Sequence, residues 1–106
     1  MIISILKVVV PVQKREEALE LLRMYLGPVC HQAGCIYCHG YEELDNANSF
    51  VLIGQWTTQN YLEHHLRSSE YNKILALMDI ANEQPTINFH SVHSTAGMEL
   101  MEKLYG

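Results

Sequence analysis

The chain has 106 residues, of which 48% are apolar and 18% are charged, and its formal net charge is −5. This length predicts one domain, and the composition is that of a globular protein and not of a disordered one. Only seven lysines and arginines are present and they form no cluster. We therefore expect no nucleic-acid partner, because phosphate binding needs a basic surface.

The first strand is predicted over residues 2–10, a segment rich in isoleucine and valine that ends at Pro11. Lys7 interrupts this apolar run, no basic region precedes it, and no small-residue cleavage site follows it. A strand is therefore favoured over a signal peptide. No run approaches the roughly 18 apolar residues of a membrane span. We expect a cytoplasmic protein without a membrane partner.

The first helix is predicted over residues 14–26. Its apolar positions recur at helical spacing and form one stripe, with Tyr25 on the edge: Ala18, Leu19, Leu22 and Leu26. Gly27 and Pro28 follow, and this pair predicts the end of the helix.

Two strands are predicted next, over residues 35–41 and 50–56, joined by a polar hairpin loop at residues 42–49. Side chains alternate along a strand. One face of the first of these strands would carry Cys35, Tyr37, His39 and Tyr41, and the other Ile36, Cys38 and Gly40. The near-continuous apolar run of residues 50–56 predicts burial on both faces.

A short helix is predicted after Trp56, capped by Thr57 or Thr58. Helical spacing places His64 on the outer side and four residues on the inner side, namely Tyr61, Leu62, His65 and Leu66. Ser68 or Ser69 can cap a second helical segment, whose apolar positions are Tyr71, Ile74, Leu75 and Met78. A fourth strand at residues 86–93 and an amphipathic helix at residues 95–105 complete the chain.

The order of these elements, βαββαβ plus a C-terminal helix, predicts an α+β, ferredoxin-like fold. It has a four-stranded antiparallel sheet with helices on one face. We assign residues 1–94 to one domain and residues 95–106 to a helical extension of that domain. Since two strands are apolar on both sides, we expect the open face to meet a second sheet in a homodimer, with the extension across the partner.

The segment after the third strand reads W-x-T-x-x-x-x-x-x-H-x-x-S-x-x-Y, from Trp56 through His65 to Tyr71. Together with Gly34-Cys35 and the order of elements, it resembles the antibiotic biosynthesis monooxygenase family over about residues 1 to 94. The resemblance implies a dimeric α/β barrel with a pocket between sheet and helices. Some members oxidise phenolic or quinol-type polycyclic substrates with O2, without metal or flavin.

On this resemblance we expect a cofactor-independent monooxygenase acting on O2 and a small quinol-like or polycyclic aromatic substrate. His65 would be the catalytic base, since histidine titrates near neutral pH, with Trp56 beside it. The expected substrate contacts are Tyr37, His39, Leu52 and Tyr61. Leu52 is a departure from the family, because some oxygenases carry an asparagine at about this place.

Other interpretations remain open. The same fold serves as a non-catalytic small-molecule-binding or stress-response dimer, or as a non-oxidative isomerase or lactone-processing enzyme. Cys35, Cys38 and His39 spell the C-x-x-C-H haem-attachment pattern, and with Cys30 and His31 they could supply zinc ligands. We expect no metal and no cofactor, because strand alternation would point the thiols of Cys35 and Cys38 to opposite faces.

Overall fold

The computed structural model describes residues 1–106 and confirms the predicted α+β class. The elements are, in chain order, β1 Ile2–Val9, α1 Arg15–Val29, β2 Cys35–Glu43, β3 Asn46–Trp56, α2 Gln59–Leu66, α3 Asn72–Asp79, β4 Thr86–Ser91 and α4 Met98–Tyr105. Short 3-10 turns at Val12–Lys14 and Ser69–Tyr71 lead into α1 and α3.

The four strands form one antiparallel sheet in the order β2-β3-β1-β4. Leu6 of β1 lies opposite Leu52 of β3 on one side and Ile87 of β4 on the other. Helices α1 to α3 cover the face to which these side chains point. The core lies between that face and α1 to α3, where β1, β3, α1 and α3 bury Val8, Phe50, Ala18, Val29, Ile74 and Leu77.

The predicted end of the first helix at Gly27-Pro28 is wrong, because α1 continues through both residues to Val29. Proline lacks the N–H that would continue the helical ladder, but its neighbour Val29 is fully buried in the core. The carbonyls of Pro28 and Val29 then accept hydrogen bonds from His31 and Gln32. Burial of one apolar side chain therefore holds the last turn of α1 in place.

The hairpin is tighter than the predicted loop at residues 42–49, since only Leu44 and Asp45 separate β2 from β3. The polar residues of the predicted loop extend β2 and β3 because their side chains form contacts there. Glu43 accepts a hydrogen bond from the hydroxyl of Ser49 at 2.9 Å and pairs with Lys7 at 2.8 Å. Polar composition alone therefore did not mark the ends of these strands.

A register shift near the start of β2 corrects the predicted alternation. Cys35 lies opposite Trp56, whereas Tyr37 already lies opposite Gln55, so Ile36 is an extra residue that bulges outward. Cys35 and Cys38 consequently both face the helices, not opposite faces. From Cys38 onward the alternation follows the prediction, and Tyr37 points to the open face of the sheet.

Towards the C-terminus, β4 ends at Ser91 and α4 begins at Met98, so both elements are shorter than predicted. In α3 the buried positions are Ile74 and Leu77, while Leu75 is exposed. None of the residues of α4 is buried. The division of the chain at residue 94 stays a prediction. No helix of the chain is long and apolar enough to cross a membrane.

Candidate functional site

A small cavity lies between the covered face of the sheet and the helices. Its volume is about 30 Å³, which is enough to hold a water molecule. Ser4, Gly54 and Cys38 line it from the sheet, and Tyr25 and His65 line it from the helices. Most of the other lining residues are apolar, so the cavity places a few polar groups in an otherwise hydrophobic interior.

His65 is held in this cavity by the local structure of α2. The helix is capped by Thr58, whose hydroxyl oxygen accepts a hydrogen bond from the backbone N–H of Tyr61 at 3.3 Å. His65 lies three positions after Leu62, so both side chains point inward and both are buried. At the end of α2 the hydroxyl of Ser68 donates to the carbonyl of His65 at 2.6 Å. The imidazole is therefore fixed in position.

Both ring nitrogens of His65 have hydrogen-bond partners. The carbonyl oxygen of the Gln32 side chain faces Nδ1, and the hydroxyl of Tyr25 lies 2.7 Å from Nε2. A carbonyl oxygen can only accept, so Nδ1 carries the hydrogen and Nε2 accepts the one from Tyr25. The three side chains form a directed chain in which the hydroxyl proton of Tyr25 already points at the imidazole.

Aromatic rings surround the imidazole on its remaining sides. Trp56 stacks on it with ring centroids 4.6 Å apart and planes 24° apart. Tyr71 meets it edge-on at 5.5 Å and 86°. Tyr71 also contacts Tyr25 edge-on at 6.5 Å, so the four rings form one cluster, which we call the covered cluster: Tyr25, Trp56, His65 and Tyr71.

Burial keeps these groups uncharged near neutral pH. It lowers the pKa of His65 to about 4, an effect that His64 reinforces and that Glu70 opposes. Burial likewise raises the pKa of Tyr25 and of Tyr71. It raises the pKa of the Cys38 thiol to about 12, so Cys38 is a neutral thiol here and not a thiolate nucleophile.

Of the predicted site residues, Trp56, His65 and Leu52 line the cavity. Tyr37 and His39 lie on the open face of the sheet, where their rings are 5.4 Å apart. Tyr61 is half exposed and does not line the cavity. Its side chain packs on Gly34, whose positive φ of 83° and missing Cβ allow that close contact.

Several residues of the site escaped the sequence reasoning. The apolar stripe places Tyr25 only on its edge, although its spacing from Leu22 and Val29 fits a buried face. Gln32 lies in a connection that has no periodicity. Ser4 and Gly54 are the small residues within bulky strands, and this signal could have marked the cavity.

No group of three or more histidine, cysteine, aspartate or glutamate residues is arranged to hold a metal ion. Cys30 is exposed, with its sulfur 3.4 Å from the carbonyl of Leu26. Cys35 is partly buried, which raises its thiol pKa, and Cys30 adds to the effect. The two cysteines of the C-x-x-C-H pattern share a face, yet Cys38 is buried and His39 points to the other face. These placements do not suit haem attachment through the pattern.

A larger groove of about 200 Å³ adjoins the cavity on the outside. It runs between α2 and the edge of the sheet, with Gln59 and Glu63 on one side and Ser91 on the other. Three apolar side chains line both spaces: Leu62, Leu66 and Phe89. They separate the groove from the cavity, and Phe89 is itself 45% exposed.

The family model of antibiotic biosynthesis monooxygenases matches residues 1–77 of the chain. The protein therefore belongs to this family. The matched segment includes Ser4, Gly54, Trp56 and His65, and it also contains the whole of α1 and α2. No sequence relative was found among proteins with curated functional descriptions.

Several solved structures share the fold of this chain. A crystal structure of an antibiotic biosynthesis monooxygenase is 14% identical, with TM-score 0.82, covering 89% of this chain and all of that one. A protein from Deinococcus radiodurans, named as a candidate member of the same family, is 15% identical with TM-score 0.84 over 92% and 97% of the two chains. A conserved protein from Methanosarcina mazei Go1 is 24% identical with TM-score 0.78 over 84% and 89%. At these identities the likeness concerns the fold.

Proposed function

We propose that the protein is a cofactor-independent monooxygenase that oxidises a small quinol-like substrate with O2. The observation that carries this proposal is the hydrogen-bonded chain from Gln32, which is partly buried, through His65 to Tyr25, both buried, at a cavity beside Trp56 and the sheet. Such a chain can remove a proton from an acidic hydroxyl in a dry environment. Membership of a family named for monooxygenases supports the oxidative half of the proposal.

The proton would leave the substrate through Tyr25 and not directly to His65, because both ring nitrogens of His65 are occupied. The substrate hydroxyl donates to the Tyr25 oxygen while Tyr25 passes its own proton to Nε2. Gln32 then accepts from Nδ1 of the imidazolium. The substrate anion reduces O2, and one oxygen atom becomes bonded to a ring carbon. The other leaves as water with the two hydrogens that the substrate loses, one of which is the proton that His65 returns through Tyr25.

The dimensions of the site favour a single-ring substrate over a polycyclic one. A cavity of about 30 Å³ holds no aromatic ring, whereas the adjoining groove of about 200 Å³ has room for one. Drug-sized ligands generally occupy roughly 300–1,000 Å³. We propose that the ring enters from the groove by displacing Leu62, Leu66 and Phe89, so that its hydroxyl reaches Tyr25.

The test is oxygen uptake with single-ring hydroquinones, and tricyclic anthrones in the same panel check the preference for one ring. Tyr25→Phe should lower kcat/KM by about 100-fold or more, the contribution usual for a positioned proton acceptor. His64→Gln is the matched control, because His64 is exposed on α2 next to His65, and it should keep the wild-type rate. Uptake that is unchanged in Tyr25→Phe would contradict the proton path. If no substrate of the panel causes O2 uptake, the proposed monooxygenase activity is contradicted.

We also propose that the protein works as a homodimer joined through the open face of the sheet. This face carries exposed or half-buried apolar side chains, among them Ile5, Tyr41 and Ile53, and α4 offers further apolar surface because none of its residues is buried. Ile53→Glu should give monomers in sedimentation, and Met24→Glu, an exposed site on α1, should not. A wild-type monomer at micromolar concentration would contradict this assembly.

A non-oxidative isomerase is the second candidate, favoured by one observation. The Gln32–His65–Tyr25 chain moves a proton and contains nothing that is specific to O2. Conversion of a ring or enol substrate at the same rate under nitrogen, with loss in Tyr25→Phe, would support this candidate over the oxygenase. Melting shifts by ligands without any turnover would instead indicate a binding protein.

A further inference from the structure

The groove beside α2 is apolar next to the cavity and polar towards its outside. Leu62, Leu66 and Phe89 line both spaces and form its inner wall. Gln59 and Glu63 are the other α2 residues of the lining. They lie four positions apart, so their side chains project from the same side of the helix, about one turn from each other. A ligand ring on the inner wall would thus have polar side chains at its outer end.

Glu63 carries the only formal charge along this path. No lysine, arginine or other acidic residue lines the groove or the cavity. The one histidine there, His65, is uncharged near neutral pH because burial lowers its pKa to about 4. The electrostatic selection of a ligand along the path therefore depends on a single carboxylate.

The carboxylate of Glu63 is available to a ligand. Its ion-pair partner within the chain is Arg67, whose Nη2 lies 4.0 Å from Oε1. The side chains are 77% exposed in Arg67 and 43% exposed in Glu63, and ion pairs between exposed side chains are weak. Arg67 does not line the groove. A cation inside the groove, where the protein displaces part of the surrounding water, would compete well with Arg67 for this carboxylate.

We infer that the groove selects single-ring phenols that carry an ammonium group at the end of the ring opposite the hydroxyl, with Glu63 as the specificity-determining residue. The inference rests on the proposed function, in which the hydroxyl reaches Tyr25 and the opposite end of the ring stays in the groove. There the ammonium pairs with Glu63 and donates further hydrogen bonds to the side-chain oxygens of Gln59 and Ser91. A carboxylate at the same place is repelled by Glu63.

The test is calorimetric titration under nitrogen with three phenols that differ in the charge of the group opposite the hydroxyl. They are the cation 4-(2-aminoethyl)phenol, the neutral 4-propylphenol and the anion 3-(4-hydroxyphenyl)propionate. The wild type should bind the cation about three- to tenfold more tightly than the neutral phenol, and the anion more weakly than either. Raising the salt concentration from about 0.01 M to about 1 M should reduce the difference, because the Debye length falls from about 30 Å to about 3 Å.

Glu63→Gln keeps the size of the side chain and removes its charge. It should weaken binding of the cation by about three- to tenfold, leave the neutral phenol unchanged and tighten binding of the anion. A residue with only a structural role would change the binding of all three ligands alike. Glu20→Gln is the matched control, because Glu20 is exposed on α1 outside the groove and the change removes the same charge. This control should bind like the wild type, and thermal melting checks that both variants are folded.

The inference is overturned if the wild type binds the anion as tightly as the cation, if it binds none of the three phenols, or if Glu63→Gln weakens the neutral phenol as much as the cation. No oxidation takes place under nitrogen, so these results are independent of the proposed activity. A protein that prefers the cation but consumes no O2 with any hydroquinone keeps this selectivity and loses the monooxygenase. One that consumes O2 but binds all three phenols equally keeps the monooxygenase and loses the inference.

Discussion

Two clusters of histidine and tyrosine lie on opposite faces of the same sheet. The covered cluster packs His65 between Trp56, Tyr25 and Tyr71. On the open face, which we call the open cluster, His39 lies 5.4 Å from Tyr37 and stacks on Tyr41 at 6.4 Å. The residue types are nearly the same, and ring distances are similar.

The clusters differ in burial and in hydrogen bonding. His65 is 2% exposed and both of its nitrogens are paired with side chains, whereas His39 and Tyr41 are exposed and their rings contact without such a chain. Burial strengthens electrostatic interactions and disfavours charge. Aromatic composition therefore does not identify a reactive site, and the difference in burial is the reason that the proposed chemistry is assigned to the helix-covered face.

The largest expected contrast concerns stability. Trp56→Ala should lower the free energy of unfolding by about 3–5 kcal/mol, as expected for a large side chain removed from a core. Tyr41→Ala, its counterpart on the open face, should cost below about 1 kcal/mol in the monomer. Urea unfolding at several protein concentrations measures both. If the protein is a dimer, the loss of unfolding free energy in Tyr41→Ala grows with protein concentration, and the loss in Trp56→Ala does not. Equal losses of unfolding free energy in the two variants at low protein concentration would contradict this prediction.

The second contrast concerns pH. The pKa of His65 falls from its ordinary 6.5 to about 4 on folding, so the unfolded chain binds the proton more tightly between these values. Stability is therefore full above pH 6.5 and falls as the pH drops towards 4, by about 2–3 kcal/mol at pH ~4.5. Urea unfolding across this range should show the loss in wild type and in His39→Asn. If His65→Asn loses stability with falling pH as steeply as the wild type, His65 is not the group that causes the loss.

The smallest contrast isolates one hydrogen bond. Tyr25→Phe removes the 2.7 Å contact with His65 Nε2 and should lower stability by about 1–2 kcal/mol, because the imidazole nitrogen loses its donor. Tyr37→Phe, on the open face, should stay within about 0.5 kcal/mol of the wild type. Urea unfolding measures both, and indistinguishable costs in the two variants would mean that the buried bond is not formed.

Much of the fold followed from periodicity. Apolar residues at helical spacing predicted α1 and α2, and dense isoleucine and valine predicted β1, because burial of such patterns is what stabilises these elements. The ends were predicted less well. The helix continues through Pro28 because Val29 is buried in the core. The polar residues of the hairpin belong to the strands because Glu43 bonds to Lys7 and to Ser49. Lys7 is distant in sequence from Glu43, and the burial of Val29 depends on the packing of the whole core, so neither effect leaves a local signal.

The site was predicted in part for the same reason. Helical phase separated His65 from His64, and strand phase placed Leu52 on the face of Trp56. The contact between Tyr25 and His65 joins residues 40 apart in sequence, and the meeting of Ser4 with Gly54 spans 50. Neither pair follows from periodicity, since it depends on the pairing of β1 with β3 and on where α1 lies.

The sequence by itself determined the family, the order of elements and the inward direction of Trp56 and His65. These depend on local period and on a motif that is contiguous in the chain. Only the tertiary structure decided that the bulge at Ile36 turns Cys35 towards the helices, that Tyr37 and His39 stay on the open face, and that Ser4 meets Gly54. The physical reason is register: one extra residue, or one choice of strand partner, exchanges the faces of a sheet without changing its composition.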